Sequence, residues 1–182
     1  MFSSCGNLIT IPSLNTSKGT DFSWMFSTCS NLMTIPPLDT SNGTDFSYMF
    51  SYCTNLTTFP PLDTSKGTSF NGMLNGDKNL ITIPPLNASN VTDFSYMFSG
   101  CSNIENITFI GSINANIDFS PCHKKLTYDS VKSILTACIN TTNTTAKTLK
   151  FKRTLTDQNG ELDALIATCT SKGWTITGLT LK

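Results

Sequence analysis

The chain has few charged side chains and only one histidine. Charged residues make up 13% of its 182 residues, about half of the ~25% that is usual for soluble domains. Lys plus Arg (12) equals Asp plus Glu (12), so the formal net charge is zero. This balance lacks the electrostatic footprint of a nucleic-acid binder or of a polybasic membrane anchor. Because one histidine offers little acid–base chemistry, we expect a non-catalytic protein that uses no cofactor.

Long hydrophobic runs and close cysteine pairs are also missing. No stretch approaches the roughly 20 consecutive apolar residues of a membrane-spanning helix, so we expect no direct membrane insertion. The seven cysteines include no C-x-x-C pair of the kind that binds metal, so no metal site is predicted. We interpret the cysteines as small buried hydrophobic residues.

A repeat of 24 residues places the abundant Ser, Thr and Asn at fixed positions. The tripeptide Met-Phe-Ser recurs in phase at Met1, Met25, Met49 and Met97, with a degenerate copy at Met73. The clearest unit, MFSTCSNLMTIPPLDTSNGTDFSY, covers residues 25–48. A period of about 20–29 residues is typical of leucine-rich-repeat solenoids. Stacked copies bury the apolar faces that one copy cannot bury alone.

Each unit contains two short periodic segments. A short helix is predicted by apolar residues at i, i+3, i+4 and i+7, namely Phe46, Met49, Phe50 and Cys53. Thr44 is positioned to be its N-cap. The segment NLMTIP predicts a short strand in which Leu32 and Ile35 point inward and Pro36 ends the pairing.

Polar residues at fixed repeat positions predict structural roles. One asparagine per unit is expected to form an internal ladder that bonds the turn backbone, through Asn7, Asn31, Asn55, Asn79 and Asn103. Asp39 and Asp45 resemble a calcium loop superficially but lack the carboxylate spacing of an EF-hand. We interpret these two residues as Asx-turn and capping groups.

The segment TSNGTDFSYMFSYCTNLTTFPPLDTS carries a family resemblance. It resembles the BspA-like leucine-rich repeats of bacterial surface proteins, particularly the subgroup with a T-(N/D)-(M/F)-S-x-M-F-x-x-C-x-x-L core. The resemblance covers about residues 1–110. It implies a secreted or surface-displayed protein associated with adhesion, and related repeats occur in bacteriophage tail and host-recognition proteins. The 24-residue period is slightly short for the subgroup, and a Pro-Pro pair replaces its usual polar stretch.

From residue 111 the composition and the pattern change. Residues 111–182 hold nine of the twelve basic residues and are net +4, against −4 for residues 1–110. Thr127 is a possible N-cap, and the order helix, strand, helix, strand is predicted. The apolar faces of the two helices are Val131, Ile134, Leu135 and Cys138, and Leu162, Leu165, Ile166 and Cys169. We therefore predict an α/β leucine-rich-repeat solenoid with short parallel strands and short helices over 1–110, continued by an α/β C-terminal cap over 111–182.

Two repeated surface positions are the candidate binding residues. Aromatic side chains two residues before the repeat methionine are expected to point away from the core, at Trp24, Tyr48 and Tyr96. Such rings suit stacking on sugars or anchoring a protein partner, or they cover the gaps between coils. A threonine row is expected on the concave strand face, at Thr10, Thr34, Thr58 and Thr82. This row is either a binding face or a solvated polar face.

The combined prediction is a non-catalytic recognition or adhesion module with a protein or glycan surface receptor. We expect it outside the cell, on a cell or virion surface, as the C-terminal piece of a longer protein, because Met1 is already in phase with the repeat. Three alternatives remain open. They are a structural spacer of a phage tail or cell-surface protein, an enzyme in which Cys122 and His123 converge with the basic strand, and a eukaryotic-type secreted repeat protein.

Overall fold

The structure is a computed structural model that describes residues 1–122, 125–139, 145–157 and 159–182. The described chain is a mixed α/β arrangement of short parallel strands and two helices. The elements are β1 Leu86–Asn87, β2 Phe109–Ile110, β3 Ile117–Asp118, a 3₁₀ turn Ser120–Cys122, α1 Tyr128–Ile139, β4 Lys147–Leu155, α2 Glu161–Ser171 and β5 Trp174–Leu181.

Residues 1–110, all of which are described, form turns where short helices are predicted, so that prediction is wrong. The N–H of Met49 donates to the carbonyl of Phe46 at 3.2 Å, a three-residue turn bond. Tyr48 and Tyr52 have positive φ angles of 55° and 59°, which a right-handed helix excludes. The predicted inward residues are nevertheless buried, because a series of such turns keeps the spacing of three and four residues on one side.

Backbone N–H groups of each repeat donate hydrogen bonds to backbone carbonyls of the next repeat. The N–H of Tyr48 donates to the carbonyl of Asn71 at 2.8 Å, and the N–H of Phe50 donates to the carbonyl of Met73 at 3.0 Å. Bonds with the same 23-residue offset join the first repeats and the later ones. Because these N–H groups bond the neighbouring repeat, they are not available for the i−4 bonds of a helix. This competition is the physical reason for turns in place of helices.

The predicted strands over NLMTIP and its copies do not form ladders, so that prediction is wrong: Thr82 makes only an isolated bridge to Asn106, and β1 begins after Pro84 and Pro85. In residues 1–110 only β1 and β2 pair as a parallel ladder, and isolated parallel bridges join other repeats. Pro36 and Pro37 follow the segment directly and have no N–H to donate to a ladder. The inward orientation of Leu32 and Ile35 is confirmed, since both side chains are buried.

Columns of like side chains fill the core of the repeats. The ring centroids of Phe22 and Phe46 lie 5.6 Å apart with parallel planes, and those of Phe26 and Phe50 lie 5.8 Å apart. The second-repeat ring of Phe46 meets Phe70 edge to face at 5.9 Å. A 24-residue step therefore places identical apolar groups in contact, and the burial of each depends on its neighbours.

The asparagine ladder is on the surface, so its prediction as internal is wrong. Asn55 Nδ2 donates to Asn31 Oδ1 at 3.4 Å, and Asn79 Nδ2 donates to the Thr54 carbonyl at 2.8 Å, with all three asparagines exposed. Each asparagine directly precedes an inward leucine or isoleucine and therefore points outward. Thr40 makes a buried polar contact instead, donating from Oγ1 to the next repeat's backbone at 2.9 Å.

The Asx-turn interpretation is confirmed, whereas the cap is not. Asp39 Oδ1 and Asp45 Oδ1 each accept from the N–H two residues later, at 3.1 and 2.8 Å. Hydrogen bonds from Ser41 hold the pKa of the Asp39 carboxyl below its usual range. Thr44 has no helix to cap, and its Oγ1 donates to the carbonyl of Thr20 at 3.1 Å.

The predicted helix–strand–helix–strand order after residue 111 is confirmed. The strands β3, β4 and β5 form a parallel three-stranded sheet with β4 in the centre. Thr127 Oγ1 accepts from the N–H of Ser130 at 3.3 Å, as expected of an N-cap. A ring contact of 5.6 Å between Phe119 and Phe151 connects β4 to the segment just before the 3₁₀ turn.

Candidate functional site

The predicted aromatic row has a left-handed backbone at every position. Trp24, Tyr48 and Tyr96 have φ angles of 57°, 55° and 58°, and Gly72 has 57° at the equivalent place. Each residue is the third of a four-residue turn, which turns its side chain away from the core. Residues other than glycine adopt this backbone conformation at a cost of about 1 kcal/mol or more. The backbone thus carries strain at each position that projects an aromatic ring.

Two of the three rings cover the next repeat. The rings of Trp24 and Tyr48 are stacked with centroids 4.2 Å apart and planes inclined by 14°. The ring of Tyr48 lies over Gly72, where an added Cβ would collide with it. The alternative in which the rings cover the gaps between coils therefore applies to these two residues, although half of Trp24 stays exposed.

A second stacking position was not identified from the sequence. Tyr52 is exposed, has a φ of 59°, and lies over Gly76, where an added Cβ would be 2.6 Å from its ring. The signal for both positions was present in the sequence. Gly72, Gly76 and Gly100 each occupy a place where another repeat has Trp, Thr or Tyr, and only a left-handed backbone explains that exchange.

Tyr96 ends the row and is its most exposed member, with 69% of its surface accessible. The side chain borders a cleft between the repeats and the C-terminal segment, made of two adjoining chambers of about 340 and 240 Å³. Phe94, Ser95, Tyr96 and Asp118 line both chambers. The first chamber is lined also by Met97, Phe98, Ser99 and Pro121, and the second also by Asn116, Ile117, Thr148 and Lys150.

The polar groups of this cleft are oriented by the β3–β4 pair. Asp118 lies opposite Lys150 in the parallel register. Asp118 Oδ1 accepts from the N–H of Ser120 at 2.8 Å, and Asn116 Oδ1 accepts from the N–H of Thr148 at 2.7 Å. Sequence reasoning missed Asp118, although Asp118-Phe119-Ser120 repeats the Asp-Phe-Ser of the 24-residue units and makes the same Asx turn. Asn116 and Lys150 lie outside the repeat and have no such signal.

The threonine row is exposed, and an apolar row lies next to it in the sequence. The members Thr10, Thr34, Thr58 and Thr82 are all exposed. The preceding residues are exposed in all four repeats and apolar in three of them, with accessible fractions of 55% for Ile9, 59% for Met33 and 42% for Ile81. The sequence analysis did not identify this apolar row, although its spacing of 24 residues is visible there.

The cysteines are free thiols, and all but Cys5 are buried. In the repeats, Cys53 Sγ donates to the carbonyl of Phe26 at 3.1 Å, and Cys29 and Cys101 make the equivalent contact. Burial raises the pKa of the Cys53 thiol well above its usual range. The buried-hydrophobe interpretation is confirmed for six cysteines, and these thiols are poor nucleophiles.

Asp77 occupies the cysteine position of the fourth repeat. Its side chain is fully buried, and neither carboxyl oxygen has a hydrogen-bond partner. Burial raises the pKa of Asp77 to about 9. The interaction of the carboxyl group with the Cys53 backbone lowers this pKa, but by less than burial raises it. The carboxyl group is therefore protonated at neutral pH. Since no solvent reaches it, it has no route to a substrate.

The remaining catalytic and metal hypotheses have little support in the described residues. Burial raises the pKa of the Cys122 thiol, whereas His123 lies outside the described residues. Among the described side chains, no three of His, Cys, Asp and Glu are grouped so as to hold a metal ion. Neither of the described helices has the length and apolarity needed to cross a bilayer.

A comparison with protein-family models gives a match over the repeats. Residues 1–108 match the family model described as "Mycoplasma protein of unknown function, DUF285". This region covers the repeats, the aromatic row and the threonine row, but not the C-terminal side of the cleft. No curated protein and no solved structure matches the chain.

Proposed function

We propose that this chain, which belongs to the DUF285 family of Mycoplasma proteins of unknown function, is a non-catalytic recognition module. Its partner is a protein or glycan receptor, and it acts outside the cell, on a cell or virion surface. The observation that carries the proposal is the strained backbone that holds an aromatic residue at the same position in three of four repeats, at Trp24, Tyr48 and Tyr96. Tyr and Trp at such positions offer large contact areas that lose little conformational entropy on binding.

The scaffold in this proposal is a leucine-rich-repeat solenoid of the BspA-like type, closed by the C-terminal segment as a cap. Backbone bonds with a constant offset between repeats support it, as do the phenylalanine columns. In such a scaffold the positions of neighbouring rings and threonines are fixed relative to each other. Many weak contacts then add along one extended partner.

The charge distribution supports contacts with an uncharged surface. The repeats carry little charge of either sign, so binding should depend only weakly on salt concentration. The exposed apolar row of Ile9, Met33 and Ile81 beside the threonines offers a second contact area of the same character.

A spacer role is the second candidate function, and the stacking of Trp24 on Tyr48 favours it. If aromatic rings serve only to seal the gaps between repeats, they need no external partner. Tyr96 argues for recognition, because its exposed ring has no stacking partner among the described residues. An enzyme in the C-terminal segment has weaker support, because Cys122 is buried with a raised pKa.

Binding of the fluorescently labelled chain to bacterial and animal cells tests this proposal. The test variant replaces Trp24, Tyr48 and Tyr96 by glycine, which the left-handed backbone accepts, as Gly72 demonstrates. We expect the variant to keep its fold and to lose at least tenfold in affinity. A matched control replaces Ile110, an exposed apolar residue outside both rows, by serine. If the folded triple variant binds cells as tightly as the parent chain does, the spacer role is favoured. The spacer role is also favoured if neither protein binds cells.

A further inference from the structure

We propose that the cleft beside Tyr96 is a saccharide site that holds one neutral pyranose ring, stacked on the Tyr96 side chain. Asp118, Asn116 and Lys150 would bond its hydroxyl groups. The inference rests on the recognition function proposed above and names both the ligand class and the place where it binds.

The first argument is the open face of Tyr96. The first two rings of the row point toward the following repeat, Trp24 onto Tyr48 and Tyr48 onto Gly72. With the same backbone angle, Tyr96 points toward the segment after residue 110, where no aromatic residue continues the row. Its ring makes no ring contact within the described residues and borders the cleft instead. Pro121 stands where the row would continue, after Asp118-Phe119-Ser120, and among the described residues no aromatic ring fills the stacking position beside Tyr96, which leaves room there for a ligand.

The second argument is the size of the cleft. Its chambers of about 340 and 240 Å³ share the Tyr96 wall and adjoin each other. Small-molecule sites occupy about 300–1,000 Å³ and combine apolar walls with a few convergent polar groups. Phe94 and Pro121 supply apolar wall, and the polar residues lie at β3 and β4. These dimensions suit one or two sugar rings.

The third argument is the mixture of donors and acceptors. Asp118 uses one carboxylate oxygen for the Ser120 N–H and has a second oxygen that accepts bonds. Asn116 uses its oxygen for the Thr148 N–H, which leaves its amide hydrogens as donors. Lys150 adds ammonium donors at the wall of the second chamber. Sugar hydroxyls are donors and acceptors at once, so neighbouring hydroxyls match such a set.

The charges favour a neutral ligand over a nucleic acid. Asp118 and Lys150 are opposite each other in the strand register and both line the second chamber, so a ligand there meets one negative and one positive side chain. A phosphate near Lys150 would also approach the carboxylate of Asp118. A single-stranded nucleic acid could stack a base on Tyr96, and the test therefore includes an oligonucleotide.

The experiment is a glycan array of neutral and sialylated oligosaccharides probed with the full chain. It is followed by titration of the methyl glycosides of the neutral sugars that bind. Tyr96→Gly removes the stacking ring and keeps the backbone conformation, whereas Asp118→Asn keeps the Asx-turn oxygen and removes the charge. Tyr52→Gly, at another left-handed position and outside the cleft, is the matched control. We expect a loss of at least tenfold for Tyr96→Gly, a smaller loss for Asp118→Asn, and no change for Tyr52→Gly.

Other outcomes would overturn the saccharide site, and they are distinguishable from failure of the recognition function. If the chain binds cells but no array glycan, or if Tyr96→Gly binds the sugar as the parent does, recognition stands and this site is wrong. Tyr96-dependent binding of a dT₁₀ oligonucleotide without sugar binding would also exclude the saccharide. If the chain binds neither cells nor glycans, both proposals fail.

Discussion

The fourth repeat has a buried acid where its neighbours have a buried thiol, and replacing it should stabilise the protein strongly. Asp77 is fully buried without a hydrogen-bond partner for either oxygen, and burial raises its pKa from 3.8 to about 9. The unfolded chain therefore releases this proton far more readily than the folded chain does. Each pKa unit corresponds to about 1.4 kcal/mol, so at pH 7 the buried acid lowers the free energy of unfolding by about 4 kcal/mol.

The sign of the pH dependence follows from the raised pKa. Below about pH 4 both states hold the proton, and the destabilisation is absent. As the pH rises from about 4 to 9, the unfolded state is increasingly favoured, and the native protein becomes steadily less stable. Asp77→Cys should remove this slope, because a buried thiol stays neutral and can donate to the Phe50 carbonyl as Cys53 does to that of Phe26.

Urea unfolding of the parent chain and of Asp77→Cys at pH 4, 7 and 8.5 checks this prediction. We expect the variant to be more stable by about 4 kcal/mol at pH 7 and by little at pH 4. Asp77→Asn, which does not titrate, should also flatten the pH profile. Asp63→Asn, at an exposed carboxyl whose pKa is lowered by hydrogen bonds from Ser65, should leave the slope between pH 7 and 8.5 unchanged. A stability difference that is the same at all three pH values would refute the buried neutral acid.

Three further predictions concern close approaches and thiol access. Gly72→Ala should destabilise the chain by about 1–2 kcal/mol in urea unfolding, because its positive φ and the overlying Tyr48 ring both oppose a Cβ; an unchanged stability would refute the stack. Gly178→Ala should cost about 2 kcal/mol or more in thermal unfolding, since its Cβ would overlap the Phe151 carbonyl, and a neutral effect would contradict the β4–β5 register. With a thiol reagent at pH 8, only Cys5 should react rapidly in the folded chain, so rapid labelling after Cys5→Ser would contradict the buried thiols.

Side chains inside the periodic part of the chain were predictable because the repeat determines their neighbours. Phe22 contacts Phe46 because 24 residues bring the same position into the next coil. The helix prediction failed for a related reason. Inward residues at i, i+3, i+4 and i+7 occur both in a helix and in a series of three-residue turns, and the pattern alone does not distinguish them. The overlooked signal for the turns was glycine, at Gly72 and Gly76, where other repeats have an aromatic residue.

The candidate site was predictable in part, because its two sides arise differently. Tyr96 belongs to the repeat, so its outward position followed from the spacing. Asp118 and Lys150 come together only through the β3–β4 pairing, which joins residues 32 positions apart. The exposed fraction of each ring could not be predicted from the sequence either, because it depends on which residues pack against the ring in the next repeat. Tyr48 is half-buried over Gly72, whereas Tyr96 has an open cleft beside it.

The central claim is that the exposed aromatic positions bind an external partner. The most direct test is the ratio of dissociation constants for one cell type or glycan, measured for the parent chain and for the folded variant with glycine at Trp24, Tyr48 and Tyr96. The account predicts a ratio of at least ten, with little dependence on salt between about 50 and 200 mM. Equal dissociation constants for the two proteins would contradict it.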